Sequence, residues 1–256
     1  MKESDLIYGI MVSLGKEEYS ITYLKYLLGP FNISDSSLRT TLSRMMEKSL
    51  LKSRKKGKSV FYSFNTKGKK IGQNVSLSFV MPDWRDWDHT WWGYIYSLPS
   101  EEKALRHKVR KKLNAYRFVP LYPGCWIRPF NKSEGIEAGL SDLLCSSFGH
   151  LTKMDFITEL SKDKIIDLWK IDLINDDFKK GLNTISRSLA ILKDSKSGEA
   201  FYLKMITGNE IVQLLFKDPL LPDCYLPSDW QGAELRKSFF SWEKAVNEKA
   251  ELFWNK

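Results

Sequence analysis

Residues 33–65 read ISDSSLRTTLSRMMEKSLLKSRKKGKSVFYSFN, and this stretch constrains the chain more than any other. Its first half has helical periodicity. Leu38, Leu42 and Met45 recur on one stripe that needs a core to cover it. Ser34 is placed to cap the first turn through its hydroxyl, and Ile33 and Leu38 are spaced for a hydrophobic staple. The opposite face carries Ser36, Thr40, Ser43, Arg44 and Glu47, with Arg39 at its edge and Ser37 beside it. Hydroxyls and guanidinium groups on an outward face are the groups that meet base edges and phosphates.

The second half alternates between strand and turn signals. Leu50-Leu51 and residues 59–64 (Ser-Val-Phe-Tyr-Ser-Phe) predict two short strands, joined by Lys55-Lys56-Gly57-Lys58. Gly57 can supply the positive φ that a tight hairpin requires. Upstream, residues 5–14 and 20–28 predict two further helices, the second broken by Gly29-Pro30. Three helices followed by a basic hairpin is the order of a winged helix-turn-helix, with the third helix in the major groove and the hairpin on the backbone. The charge agrees. Residues 1–80 hold 14 Lys/Arg against 6 Asp/Glu, so nearly all of the net +9 lies in the first third of the chain. A basic surplus confined to one region is the footprint of a polyanion. The DNA-contact candidates are therefore Ser36, Ser37, Arg39, Thr40, Ser43, Arg44, Lys55, Lys56 and Lys58.

At 256 residues and 43% hydrophobic, the chain is long enough for two or three packed domains. It has no apolar run long enough for a membrane span, and its first residues do not form a secretory leader, so a cytoplasmic protein is expected. Cys125, Cys145 and Cys224 are widely spaced and only three histidines accompany them. No zinc pattern emerges, no cofactor is implied, and reduced, buried thiols are expected.

The composition divides the chain into residues 1–80, a DNA-binding part; 84–162, a middle part; and 163–256, a mainly helical part. A short basic helix is expected from 66 to about 78. In the middle part, residues 91–98 predict a strand and 101–116 a basic helix with Leu105, Val109 and Leu113 on one face. A strand at 125–130, a helix at 134–146 and a strand at 151–160 follow. That order fits a ferredoxin-like split βαβ fold. The expected class is thus α+β. Asp229 reads as the cap of the last helix.

The chain resembles the PaaX family of winged-helix repressors of phenylacetate catabolism. The resemblance rests on Ser37-Leu38-Arg39-Thr40-Thr41-Leu42-Ser43-Arg44, Trp87, Ser97-Leu98-Pro99, Leu105-Arg106, Arg110, Leu113, Phe118 and Leu121. It continues through Pro123-Gly124-Cys125-Trp126-Ile127, Asp218-Pro219-Leu220-Leu221-Pro222 and Leu226-Pro227-Ser228-Asp229-Trp230. It implies a repressor that binds a palindromic operator in double-stranded DNA as a homodimer and is released by an acyl-CoA effector such as phenylacetyl-CoA. The phosphates of such an effector would need cations and its acyl group apolar walls. Arg106, Arg110, Lys111, Arg117 and Arg128 are the candidate cations, with Trp126 and Trp230 as candidate walls. The middle part of the family resembles a small CRISPR-associated ribonuclease, which makes a metal-dependent nuclease one alternative. The first strand, however, ends Tyr96-Ser97-Leu98-Pro99, without the acid such a metal site needs, and no nucleophile–base constellation stands out elsewhere. The reading is of a non-enzyme. An effector-independent DNA-binding factor is the other alternative.

Overall fold

The computed structural model describes residues 1–69, 81–131, 135–144 and 148–255, and shows an α+β protein that divides into two compact units. The first comprises residues 1–80, 177–217 and 231–256; the second comprises 81–176 and 218–230.

In the first unit, α1 (Glu3–Leu14), α2 (Ile21–Leu28) and α3 (Asp35–Glu47) enclose Ile7, Ile10, Leu24, Leu27, Leu38 and Leu42, all fully buried. The expected Ser34 cap forms, accepting the amide of Ser37, and Ser20, which the sequence reading did not single out, accepts that of Tyr23, each contact worth about 1 kcal/mol of helix stability. Gly29-Pro30 ends α2 in a single 3-10 turn, Gly29–Phe31.

A three-stranded antiparallel sheet completes this part. β1 (Tyr19–Ser20), β2 (Leu51–Lys56) and β3 (Ser59–Phe64) lie in the order β1-β3-β2. The first hairpin strand runs five residues beyond the expected Leu50-Leu51, to Lys56, because Lys55 and Lys56 pair with Val60 and Ser59. The turn is therefore only Gly57-Lys58, with Gly57 at φ 59°. One helical turn over 66–69 follows, and the rest of the basic helix expected there lies outside the described residues.

The same unit contains the later part of α8 (Ile171–Asp194), with α9 (Ser197–Leu215) and α10 (Gly232–Trp254). Phe178, Ile185 and Leu192 of α8 are buried at helical spacing, as are Phe239, Trp242 and Val246 of α10. The α1–α3 part is fastened to these helices by aromatic residues. Tyr26 stacks on Phe253 at 4.6 Å and donates to its carbonyl at 2.9 Å, while Phe31 meets Phe201 edge-on.

The second unit is built on β4 (Trp91–Tyr96), α4 (Lys103–Ala115), β5 (Val119–Tyr122), β6 (Cys125–Pro129) and β7 (Gly149–Met154), with sheet order β5-β6-β4-β7. Period-2 alternation along β4 sends Trp92, Tyr94 and Tyr96 to one face, where Val109, Leu113 and Trp126 close a core. Two short helices, α5 (Ile136–Gly139) and α6 (Ser141–Leu144), cover the same face; the flanks of the helix expected at 134–146 lie outside the described residues. Trp91 and Ile127 face the other way, against Trp169 and Ile165 of α7 (Lys162–Trp169) and Leu221 and Tyr225 of the proline-rich segment.

Three sequence expectations need correction here. β5 had no counterpart in the pattern, because Pro120 argues against a strand; it is tolerated at a sheet edge and beside the irregularity between Pro120 and Tyr122. β7 stops at Met154 rather than running to 160, because Met154 already pairs with Trp91, the first residue of β4. Asp229 is not at the capping position of the last helix: that position in α10 is Gln231, whose side chain makes no capping hydrogen bond.

Candidate nucleic-acid interface

The α3 stripe Leu38, Leu42 and Met45 is buried, so the helix turns Ser36, Arg39, Thr40, Ser43 and Arg44 to solvent. Thr40 donates its hydroxyl hydrogen back to the Ser36 carbonyl at 2.9 Å, which leaves its oxygen as an acceptor. Arg39 and Arg44 make no ion pair among the described residues, so both guanidinium groups remain available. Ser37 is half-buried and engaged elsewhere. It donates to the Glu3 carboxylate at 2.6 and 2.8 Å, and Thr41 donates to the same group at 2.9 Å. Two hydroxyls of α3 are thus held by one carboxylate of α1. Sequence spacing gives no sign of this, because the partners are more than thirty residues apart.

The hairpin sorts its cations in the same way. Lys52, Arg54, Lys55, Lys56 and Lys58 are all exposed. Glu18, just before β1, pairs with both Arg54, at 3.0 Å, and Lys56. Hydrogen bonds from Lys56 and then Arg54 hold the Glu18 carboxyl below the ordinary carboxylate range. Lys56 also lies over the Phe61 ring at 5.0 Å. Lys55 and Lys58, at the turn, have no acid partner among the described residues.

The effector candidates in the second unit are dispersed. Arg106 donates to the carbonyls of Leu98 and Pro99, at 3.0 and 2.7 Å, closing the loop into α4. Arg117, at φ 63°, donates to the Asp218 carbonyl at 2.7 Å. Arg128 is buried, donates to the Tyr116 carbonyl at 2.8 Å and lies 6.0 Å from the Phe118 ring centre. Trp126 is a core residue, and Trp230 packs against the opposite core. Only Arg110 joins Trp126, in a hollow of about 490 Å³ beside Tyr96 and Tyr122; Lys111 is exposed.

Among the described residues, no cluster of three or more His, Cys, Asp or Glu side chains could hold a metal, and no helix is long and apolar enough to cross a membrane. Cys125 is half-buried, whereas Cys224 is exposed, contrary to the expectation of buried thiols; Cys145 lies outside the described residues. Partial burial pushes both described thiols up, which disfavours a reactive thiolate.

Three family models match the chain in order: PaaX-like protein over residues 6–68, PaaX protein central Cas2-like domain over 84–166, and PaaX-like protein C-terminal domain over 169–256. The chain is 23% identical over 241 residues to the transcriptional repressor PaaX of Escherichia coli K12, covering 90% of this chain and 75% of that one. Its fold is similar to that of the uncharacterized protein Rv0674 from Mycobacterium tuberculosis, with a TM-score of 0.67 at 19% identity and 97% of each chain covered.

Proposed function

The chain belongs to the PaaX family, and from that premise we propose that it is a cytoplasmic transcriptional repressor that reads a palindromic operator in double-stranded DNA as a homodimer. The observation that carries this reading is the outer face of α3. Arg39 and Arg44 are unpaired there beside Ser36, Thr40 and Ser43, next to a hairpin turn with Lys55 and Lys58. In this reading α1–α3 and the hairpin form a winged helix-turn-helix, α3 enters the major groove and the turn reaches the backbone. One such module reads only a half-site, so two copies at fixed spacing supply the specificity.

The second unit is read as a ferredoxin-like fold. Its βαββαβ order and its strand order β5-β6-β4-β7 support that assignment. By sequence the protein is organised as 1–80, 84–162 and 163–256, a division supported by the extents of the family models. An acyl-CoA thioester such as phenylacetyl-CoA is the effector that releases the protein from DNA, and it leaves unchanged, because this is not an enzyme.

A gel shift on the protein's own promoter tests the central claim. Arg39→Ala should weaken operator binding by about 1–3 kcal/mol while barely changing binding to unrelated DNA. Equal loss on both DNAs, or none on either, would rule out base reading by α3.

A further inference from the structure

A cleft of about 1150 Å³ opens inside the first unit, with α1 and α3 on one side and α9 and α10 on the other. Small-molecule sites typically span about 300–1,000 Å³, so there is room for a large cofactor-sized ligand. Its walls are mainly apolar: Leu6 and Val12 of α1 face Met205, Val212, Phe240 and Trp242 of α9 and α10. Gly9, in the middle of α1, leaves the space open. A Cβ built on it meets nothing within 4 Å, although alanine would favour the helix by about 0.5–1 kcal/mol. A glycine without a left-handed φ and without a crowding neighbour is explained by neither conformation nor close packing.

Polar groups are set at two levels. At the edge, Arg44 in the last turn of α3 and Lys48 at its C-cap stand one turn apart, exposed and without an acid partner among the described residues. Inside, Asn247 has a buried Oδ1 that accepts no hydrogen bond among the described residues, one turn from Glu243. Glu243 itself faces the buried Lys204 ammonium at 3.6 Å, and Glu3 is occupied by Ser37 and Thr41. Cations without an acid partner at the mouth, a buried acceptor without a donor within and aromatic walls suit one kind of ligand. It has an anionic head, an N–H or O–H donor along its length and an apolar or aromatic end.

We propose that this cleft is the effector pocket, taking an acyl-CoA thioester with its phosphates at Arg44 and Lys48, a pantetheine amide at Asn247 and its acyl group between α1, α9 and α10. This location rests on the effector reading above and departs from the candidates in the second unit, three of whose arginines, Arg106, Arg117 and Arg128, are already committed to carbonyls. It also supplies a coupling route. Arg44 belongs both to the DNA-facing surface and to the cleft mouth, so an anion that draws it inward removes a contact from DNA. A ligand that binds this state better than the DNA-bound one must release the operator.

Titration calorimetry and operator release on the full-length chain, with phenylacetyl-CoA, CoA and phenylacetate as separate probes, test the proposal. Gly9→Leu, which fills the cleft, and Lys48→Ala, which removes a cation from its mouth, should each weaken phenylacetyl-CoA binding by about tenfold or more. Gly9→Ala, which cannot disturb folding by overpacking, should fold normally and weaken it less. CoA alone should bind more weakly than the thioester, and phenylacetate should fail to release DNA. If the wild type binds the thioester, these variants bind it equally well and the Arg106→Ala/Arg110→Ala pair does not, the cleft is wrong and the effector reading survives. If the wild type binds no acyl-CoA, the effector reading itself falls, and the pocket assignment with it.

Discussion

The Ser37 hydroxyl donates to both oxygens of the Glu3 carboxylate, at 2.8 and 2.6 Å, and so ties the first turn of α1 to the first turn of α3. The bond fixes the rotation of α3. Glu3→Ala should cost about 1–2 kcal/mol by denaturant melting, since hydrogen bonds to a charged group are worth about 1.5–3 kcal/mol. Ser37→Ala should cost less, because Thr41 still donates to the carboxylate at 2.9 Å. The double variant should cost less than the sum of the two, as a double-mutant cycle would show. Additive costs would mean that the contact contributes nothing.

The hairpin cations should differ in their effect on DNA. Lys55→Ala and Lys58→Ala should each lower the salt slope of DNA binding by about one charge, regardless of sequence. Lys56→Ala should lower it by less, because Glu18 already neutralises part of that charge. Glu18→Gln should steepen the slope. Binding measured across a salt series resolves all four, and identical slopes for Lys55→Ala and Lys56→Ala would contradict the pairing.

Acid should loosen the second unit at Asp88. Lys153, which donates to it at 2.8 Å, and then Thr90 pull the Asp88 carboxyl down to about 2. A group depressed in the folded state stabilises above its unfolded pKa, near 3.9, and that contribution is lost as pH falls toward the folded value. Asp88→Asn should therefore flatten the acid limb of thermal stability between about pH 4 and pH 2. The contact is half-exposed, so its effect at neutral pH should be small.

Trp242 is fully buried on α10 and donates its Nε1 hydrogen to Ser188 of α8 at 3.0 Å. Trp242→Ala should destabilise the first unit by about 3–5 kcal/mol. Ser188→Ala should cost about 1–3 kcal/mol, by stranding the indole N–H. Trp242→Phe together with Ser188→Ala should recover part of the second loss. Chemical denaturation followed by circular dichroism gives the ordering.

What the sequence made legible was whatever depends on neighbours along the chain. The Ser34 cap, the Leu38–Leu42–Met45 stripe and the Gly57 turn all follow from local spacing, and all three are present. The Pro120 strand was hidden, because a proline is excluded from a central strand and accepted at an edge, and edge position is a tertiary property. The competition for cations was hidden for a similar reason. Arg106, Arg117 and Arg128 look like ligand contacts until the carbonyls of Leu98, Asp218 and Tyr116 are found beside them. Glu3 and Glu18 look like ordinary surface acids until folding brings Ser37, Arg54 and Lys56 within reach.

The Glu18 clamp bears on how such a protein searches a genome. Non-specific affinity grows with every cation offered to the phosphates, and competing sites outnumber an operator by about 10⁶–10⁹ to one. A hairpin that arrives with Arg54 and Lys56 partly neutralised by its own carboxylate holds random DNA less firmly. More of the copies in the cell are then left for the operator.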